Sequence, residues 1–171
     1  MGAIAPSSKR LGEMMLLEFK PGDVVAEIGP GTGALTRVIR QRLAEPGHYQ
    51  GFDINREFIE KLRTDFPDLK FIQDSAENLP AHFGEGKQAD YIVCSLPWTI
   101  WPGEHQAKIL DGIMAPLKKG GYFVTFCYWP TLYAPSGLGL RKLLRKRFKN
   151  VELSKVVWGN IPPAAVYICT K

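Results

Sequence analysis

Cysteine is scarce in this chain of 171 residues, and the three that occur, Cys94, Cys127 and Cys169, each sit in a different apolar run. With no C-x-x-C pair and no histidine at metal-ligand spacing, the pattern speaks against a metal site and predicts buried free thiols. A run of about 18 apolar residues is also missing, and the N-terminus lacks the charged-then-apolar layout of a secretory signal. A soluble, cytoplasmic protein is therefore expected. Acidic residues are outnumbered, 17 against 22 basic, giving a net charge of +5. That balance admits an anionic partner, either nucleic acid or lipid headgroups, without choosing between them. At this length and 45% hydrophobic content, residues 1–171 are predicted to form one domain that buries roughly 70% of its unfolded surface. A second, substrate-binding domain does not fit.

What is present centres on Val24-Val25-Ala26-Glu27-Ile28-Gly29-Pro30-Gly31-Thr32-Gly33. A β-branched run ends in an acid and then in three alternate glycines, and a helical pattern starts directly behind. Glycine tolerates positive φ and lets backbone approach a ligand, while a helix N-terminus offers unpaired N–H groups. Two ligand classes use such a turn. Gly29-x-Gly31-x-x-Ala34 fits the looser dinucleotide fingerprint. Glu27-x-Gly29-x-Gly31-x-Gly33 resembles the first motif of class I S-adenosylmethionine-dependent methyltransferases, which implies cofactor contacts from Glu27, Gly29, Gly31, Thr32 and Gly33. Pro30 favours the second, because it lacks an N–H that a pyrophosphate would need. Glu27 favours it too, since a carboxylate suits a cationic ligand.

The rest of the chain reads as alternating strands and helices. Ahead of the loop, residues 1–20 form a helical segment, with Pro6-Ser7-Ser8 as turn and cap and Leu11, Met14, Met15 and Glu18 on one face. After helix 33–44, the strand 48–54 ends at Asp53 and Ile54. A carboxylate there can accept from both ribose hydroxyls of an adenosine. Capping of the next helix is the other role open to Asp53, and Asn55 fills that role equally well. A third strand, 69–74, ends at Asp74-Ser75-Ala76, where the resemblance implies adenine contacts. The fourth strand, 89–94, runs into Ser95-Leu96-Pro97-Trp98. An amphipathic helix 104–117 precedes a fifth strand, 122–128, of continuous apolar character.

Residues 130–137 are rich in Pro, Gly and aromatics, as substrate-gating loops are. The helix behind them carries Arg141, Lys142, Arg145, Lys146, Arg147 and Lys149 around an apolar stripe of Leu140, Leu143, Leu144 and Phe148. Its basic face is either merely solvated or a contact for an anionic surface such as a membrane. Strands at 151–158 and 164–170, joined by Gly159-Asn160-Ile161-Pro162-Pro163, close the chain as an antiparallel hairpin.

Ser95-Leu96-Pro97-Trp98 is similar to the acceptor motif of amino-group methyltransferases, with Ser in place of the usual Asn or Asp. Three segments narrow the resemblance to the bacterial phospholipid N-methyltransferases of the Agrobacterium and Sinorhizobium type, relatives of the ribosomal RNA adenine dimethylases. These are Gly2-Ala3-Ile4-Ala5-Pro6-Ser7-Ser8-Lys9, Ser95-Leu96-Pro97 and Val157-Trp158-Gly159-Asn160-Ile161-Pro162-Pro163-Ala164. The resemblance implies an α/β, Rossmann-like class I methyltransferase fold: a mixed seven-stranded sheet with a C-terminal antiparallel hairpin and helices on both faces. It also implies S-adenosylmethionine as methyl donor, S-adenosylhomocysteine as product, and the phosphatidylethanolamine amine as acceptor, with peripheral attachment to the membrane. An RNA adenine, a small natural-product amine and a non-catalytic cofactor-binding role are the alternatives. Placed by topology at the border of the transferable methyl, Ser95 is expected to contact the cofactor and, with the Leu96 carbonyl, to receive the amine's hydrogens. Trp98, Tyr128, Trp158 and Asn160 are expected to line its pocket, where aromatic faces suit a cationic product. Family members carry an amphipathic membrane-binding helix ahead of the Gly2 segment, and this chain begins almost at that segment.

Overall fold

The computed structural model describes residues 9–84 and 86–171. The cap expected at Pro6-Ser7-Ser8 and residue Glu85 of the loop 84–88 lie outside the described residues. Seven strands form one sheet: β1 (Val25–Ile28), β2 (Tyr49–Asp53), β3 (Lys70–Gln73), β4 (Ala89–Cys94), β5 (Leu117–Tyr128), β6 (Asn150–Leu153) and β7 (Ala164–Thr170). Their order is β3-β2-β1-β4-β5-β7-β6. The first five are parallel, and β7 runs antiparallel to both β5 and β6. The chain therefore leaves β1 towards one edge and returns through β4 on the other side. That reversal opens a crevice at the carboxyl ends of β1 and β4, where folds of this kind bind ligands.

The helices are α1 (Lys9–Met15), α2 (Ala34–Arg42), α3 (Arg56–Asp65), α4 (Leu79–His82), α5 (Gly103–Met114) and α6 (Pro135–Arg147). Strand periodicity assigns them to two faces. Val25, Tyr49, Tyr91, Val124 and Val166 pack against Leu11 and Met15 of α1, Leu35 and Ile39 of α2, and Ile59 and Leu62 of α3. The alternate set, including Ala26, Phe52, Ile92, Phe123 and Tyr167, packs against Leu79 of α4, Ile109 and Leu110 of α5, and Leu140 and Leu144 of α6. Cys94, Cys127 and Cys169 are buried free thiols, and burial pushes each up to about 12. Among the described residues, no helix is long and apolar enough to cross a membrane.

Three boundaries differ from the sequence reading. Helix α5 stops at Met114, because Leu117 already pairs with Ala89, so Lys118-Lys119-Gly120-Gly121 lies inside β5. A register shift between Ala89 and Tyr91 and a left-handed Gly120 at φ 78° take up the kink. The Lys171 ammonium donates to the carbonyls of Met114 (2.5 Å) and Leu117 (2.6 Å) and so closes the end of α5. The predicted loop 130–137 is mostly ordered, with a short turn at 129–131 and α6 starting at Pro135. The strand expected over 151–158 ends at Leu153, with only Val157 bridging to Ala164 beyond it.

Two glycines of α6 are expected to respond oppositely to alanine. A Cβ on Gly137 would overlap the Thr131 carbonyl oxygen of the preceding turn, whereas one on Gly139 meets nothing within 4 Å. Gly137→Ala should lower stability by about 1–3 kcal/mol, and Gly139→Ala should raise it by about 0.5–1 kcal/mol through helix propensity. Urea denaturation of the two variants reads both signs.

Candidate active site

The loop after β1 folds as its glycines allow: Gly29, Gly31 and Gly33 all have positive φ, at 71°, 54° and 82°. Their N–H groups turn into the protein. Gly29 donates to the Phe52 carbonyl (2.8 Å), Gly33 to the Pro30 carbonyl (2.9 Å), and Gly31 to Asp53 Oδ2 (3.2 Å). Since Pro30 has no N–H, the loop is a poor cradle for a pyrophosphate and a good close-approach surface for a neutral or cationic ligand. Thr32 is exposed on it.

Asp53 ends β2 with a half-buried carboxylate that receives Gly31 N–H on one oxygen and Asn55 N–H (2.9 Å) on the other. The cap of α3 is supplied by Asn55, whose side chain accepts from Glu57 and Phe58. Of the two roles open to Asp53, capping is thus filled by its neighbour, and the acid faces the glycine loop. Ile54 beside it is 73% exposed. Asp74, at the end of β3, is more heavily engaged. Its carboxylate accepts from Asn78 (2.8 Å) and the Ser75 N–H (2.7 Å) and pairs with His82 Nε2 at 2.6 Å. The bonds from Asn78, His82 and Ser75 hold it below the usual carboxylate range. Ser75 caps the turn 76–78, in which Ala76 is buried.

Glu27 lies deepest, with no exposure at all. Thr36 Oγ1 (2.8 Å) and the Tyr49 hydroxyl (2.5 Å) both donate to Oε2, while Oε1 is buried and has no partner among the described residues. Desolvation raises its pKa from 4.5 to about 7 against the lowering effect of the two donors, and Asp53 adds to the rise. Neither Tyr49 nor Thr36 stood out in the sequence. The cue was a Tyr two residues before a strand glycine, which fixes Tyr49 and Gly51 on one face.

On the other side of the crevice, Ser95 N–H donates to the Ile28 carbonyl (2.8 Å) and docks the acceptor turn against β1. The Leu96 carbonyl accepts from Trp98 N–H (3.0 Å) and keeps a second lone pair. Two expected pocket residues are corrected. Trp98 is a core residue, 1% exposed, with its indole N–H on Thr125 Oγ1 (2.7 Å), which in turn donates to the Cys94 carbonyl. Its ring is closed off by Trp101 and Phe123 and is not offered to an amine. Asn160 is 4% exposed, and its amide donates to the Pro162 carbonyl (2.7 Å), so it fastens the turn that contains the cis Ile161-Pro162 bond. Tyr128 is half-buried, edge-on to Phe126. Trp158 is 67% exposed and leans on Trp129, which also meets Tyr133. The basic helix needs correction as well. Arg147 pairs with Asp111 at 2.9 Å and Arg141 is half-buried, which leaves Lys142, Arg145, Lys146 and Lys149 as the exposed set.

The family described as "Methyltransferase domain" matches residues 25–121, which run from the strand before the glycine loop into β5. The chain belongs to that family. This methyltransferase is 25% identical over 176 residues to the ornithine lipid N-methyltransferase of Singulisphaera acidiphila, covering 99% of this chain and 88% of that protein. It is 35% identical over 86 residues to the ribosomal RNA small subunit methyltransferase A of Laribacter hongkongensis, a match that takes in 49% of this chain and only 32% of the relative. Among solved structures, the N-methyltransferase NodS of Bradyrhizobium japonicum superposes with a TM-score of 0.74 at 13% identity, covering 95% and 93% of the two chains. The magnesium protoporphyrin IX methyltransferase of Synechocystis, solved with bound S-adenosylmethionine, gives 0.65 at 13% identity, covering 94% and 77%. These two share the fold. The methyltransferase uses S-adenosylmethionine as its cofactor. The unpartnered Oε1 of Glu27, the uncovered Ile54 and the glycine loop closed to anions all fit that cationic, adenosine-bearing molecule.

The raised Glu27 carboxyl makes the ligand-free protein pH-sensitive in a defined direction. Between pH 4.5 and about 7 the folded state holds a proton that the unfolded state has released. Stability therefore falls as pH rises through that window, by on the order of 3 kcal/mol in total. Glu27→Gln cannot ionise, so its stability relative to the parent should be higher at pH 8 than at pH 5 by that order. Urea denaturation at both pH values checks it, and an identical difference at the two would remove the assignment.

Proposed function

We propose that this methyltransferase transfers methyl groups to the amine of a lipid headgroup, with phosphatidylethanolamine as the first candidate. The observation that carries the reading is an apolar rim beside the acceptor turn. Ile100, Tyr133, Trp158 and Ile161 are 67–80% exposed, and they follow the carboxyl ends of β4 and β5 or precede the start of β7. Because Tyr128 pairs with Ala164 and Trp129 N–H bonds the Pro163 carbonyl (2.7 Å), that start lies at the same edge. Aromatic side chains with a polar tip suit a bilayer interface. The exposed Lys142, Arg145, Lys146 and Lys149 add attraction to anionic lipid of about 1 kcal/mol each near the surface. Similarity to a lipid N-methyltransferase over nearly the whole chain supports the same acceptor class.

When bound, S-adenosylmethionine supplies a methyl group on a sulfonium, open to in-line attack by an uncharged nitrogen. The chain's task is then positioning and proton handling. Asp53 holds the ribose hydroxyls, Ile54 and the Asp74–Ala76 turn border the adenine, and Glu27 receives the cofactor's ammonium. The Ser95 hydroxyl and Leu96 carbonyl accept hydrogens from the amine and so orient its nitrogen, while desolvation of the headgroup amine favours its neutral form. The amine would be held between the Ser95 hydroxyl and the Leu96 carbonyl, and the proton it gives up on methylation would leave to solvent. Tyr128 and Trp158 are the aromatic faces left to meet the methylated cation once Trp98 and Asn160 are assigned to structure.

Isotope-labelled S-adenosylmethionine, offered with vesicles of phosphatidylethanolamine, vesicles of ornithine lipid, RNA and small amines, should yield mass-shifted lipid. Methylated RNA without methylated lipid would overturn the reading in favour of the relatives that act on ribosomal RNA. Two variants separate the halves of the site. Asp53→Ala should weaken S-adenosylhomocysteine binding by tenfold or more in calorimetry. Trp158→Ala should leave that binding unchanged and lower transfer to vesicles several-fold. Equal loss in both assays for Trp158→Ala would count against an interfacial role.

A further inference from the structure

Glu27 carries more hardware than a loop support requires. Its strand register places Gly51 of β2 directly opposite, and the absence of a side chain there has a use. A Cβ on Gly51 would come within 2.7 Å of the Tyr49 hydroxyl and of the Phe71 ring. The phenol of Tyr49, two residues earlier on the same face, thus passes over Gly51 to reach Glu27 Oε2. Thr36, buried on α2, reaches the same oxygen from above. Both donors converge on Oε2 and neither bonds Oε1, although a carboxylate with two buried oxygens gains more when both are satisfied.

We infer that Tyr49 and Thr36 are positioning residues that hold Glu27 by Oε2 and reserve Oε1 for the cofactor's ammonium, so that cofactor uptake displaces a proton from the Glu27 carboxyl. This rests on the assignment of Glu27 to that ammonium. In the ligand-free enzyme the carboxyl has no counter-charge and retains a proton near neutrality. An ammonium at Oε1 stabilises the carboxylate, and the proton passes to solvent with no other bond made or broken. The neighbours that act on Glu27 are Tyr49 and Asp53 from β2 and Thr36 from α2. On β4 its register partner is the apolar Val93, and Asp90 sits towards the far end of that strand. Burial and Glu27 together keep the Tyr49 hydroxyl protonated as a donor throughout.

S-adenosylhomocysteine, which bears the ammonium, and 5′-methylthioadenosine, which lacks it, are the probes. With the first, Kd should rise about tenfold for each pH unit below 7 and level off above it, and calorimetry in two buffers at pH 7 should read about half a proton released. With the second, Kd should stay flat over the same range. Tyr49→Phe removes a donor to the carboxylate, so the midpoint should move to higher pH, with affinity lost several-fold at pH 6 and the loss narrowing by pH 8, before the ligand's own ammonium titrates away. A purely structural role would lower affinity equally at every pH. Thr36→Val should shift the midpoint the same way, and it keeps the test open should Tyr49→Phe not fold. Glu27→Gln should bind weakly with no pH dependence. Tight binding of S-adenosylhomocysteine with a flat profile would overturn the proton coupling while leaving the cofactor assignment intact. Binding of neither probe at any pH would remove both.

Discussion

A fully buried carboxylate in the middle of a parallel sheet is the constraint from which much of this half of the molecule follows. Desolvating an ionised acid costs several kcal/mol unless it is hydrogen-bonded or neutralised. Glu27 meets that demand in part by each route: two donors on Oε2, and a carboxyl that holds its proton to about pH 7. Three otherwise odd residues are explained together. Tyr49 is a buried phenol at the start of a strand, Thr36 is a buried hydroxyl in a helix, and Gly51 interrupts a buried strand where a larger residue would pack. Tyr49 and Thr36 serve the environment of that one acid, and Gly51 leaves room both for the Tyr49 hydroxyl that reaches it and for the Phe71 ring. The incompleteness is equally informative, since an oxygen left without a partner at zero exposure is a feature that native structures rarely carry without a function.

Local chemistry was legible in the sequence wherever it depends on neighbours along the chain. The acid-and-glycine loop, the strands ending at Asp53 and Asp74, and the parallel α/β order all follow from periodicity and turn residues within a few positions. The choice between ribose contact and helix cap at Asp53 was open in one dimension, because both roles want a carboxylate there. It narrows only when Asn55 is seen to take the cap. What was not legible depends on partners far along the chain. Trp98 reads as a pocket aromatic until Thr125, 27 residues on, is found to accept its indole N–H. Arg147 reads as one of six surface cations until Asp111, 36 residues earlier, is found to bind it. The β5 boundary was misread for a related reason. Lys118-Lys119-Gly120-Gly121 has the composition of a helix terminator, and pairing of Leu117 with Ala89 overrides that local preference.

The sheet order also divides the work of the site. In the proposed site, the residues assigned to the donor lie at the carboxyl ends of β1, β2 and β3, on one side of the order reversal. Those assigned to the acceptor lie at the ends of β4 and β5 and in the turn before β7, on the other. Direction matters for that last piece. Because β7 is antiparallel to β5, its first residue pairs with the last residue of β5, and the turn at 158–163 is delivered to the same edge as the glycine loop. A parallel seventh strand would deliver it to the opposite edge, where it could not touch an acceptor. The buried Asn160 and the Trp129–Pro163 hydrogen bond then have a clear purpose: they hold a turn whose apolar side chains remain uncovered. On the proposed assignment the donor half is independent of the acceptor, and the geometry of this one turn is what distinguishes one amine from another.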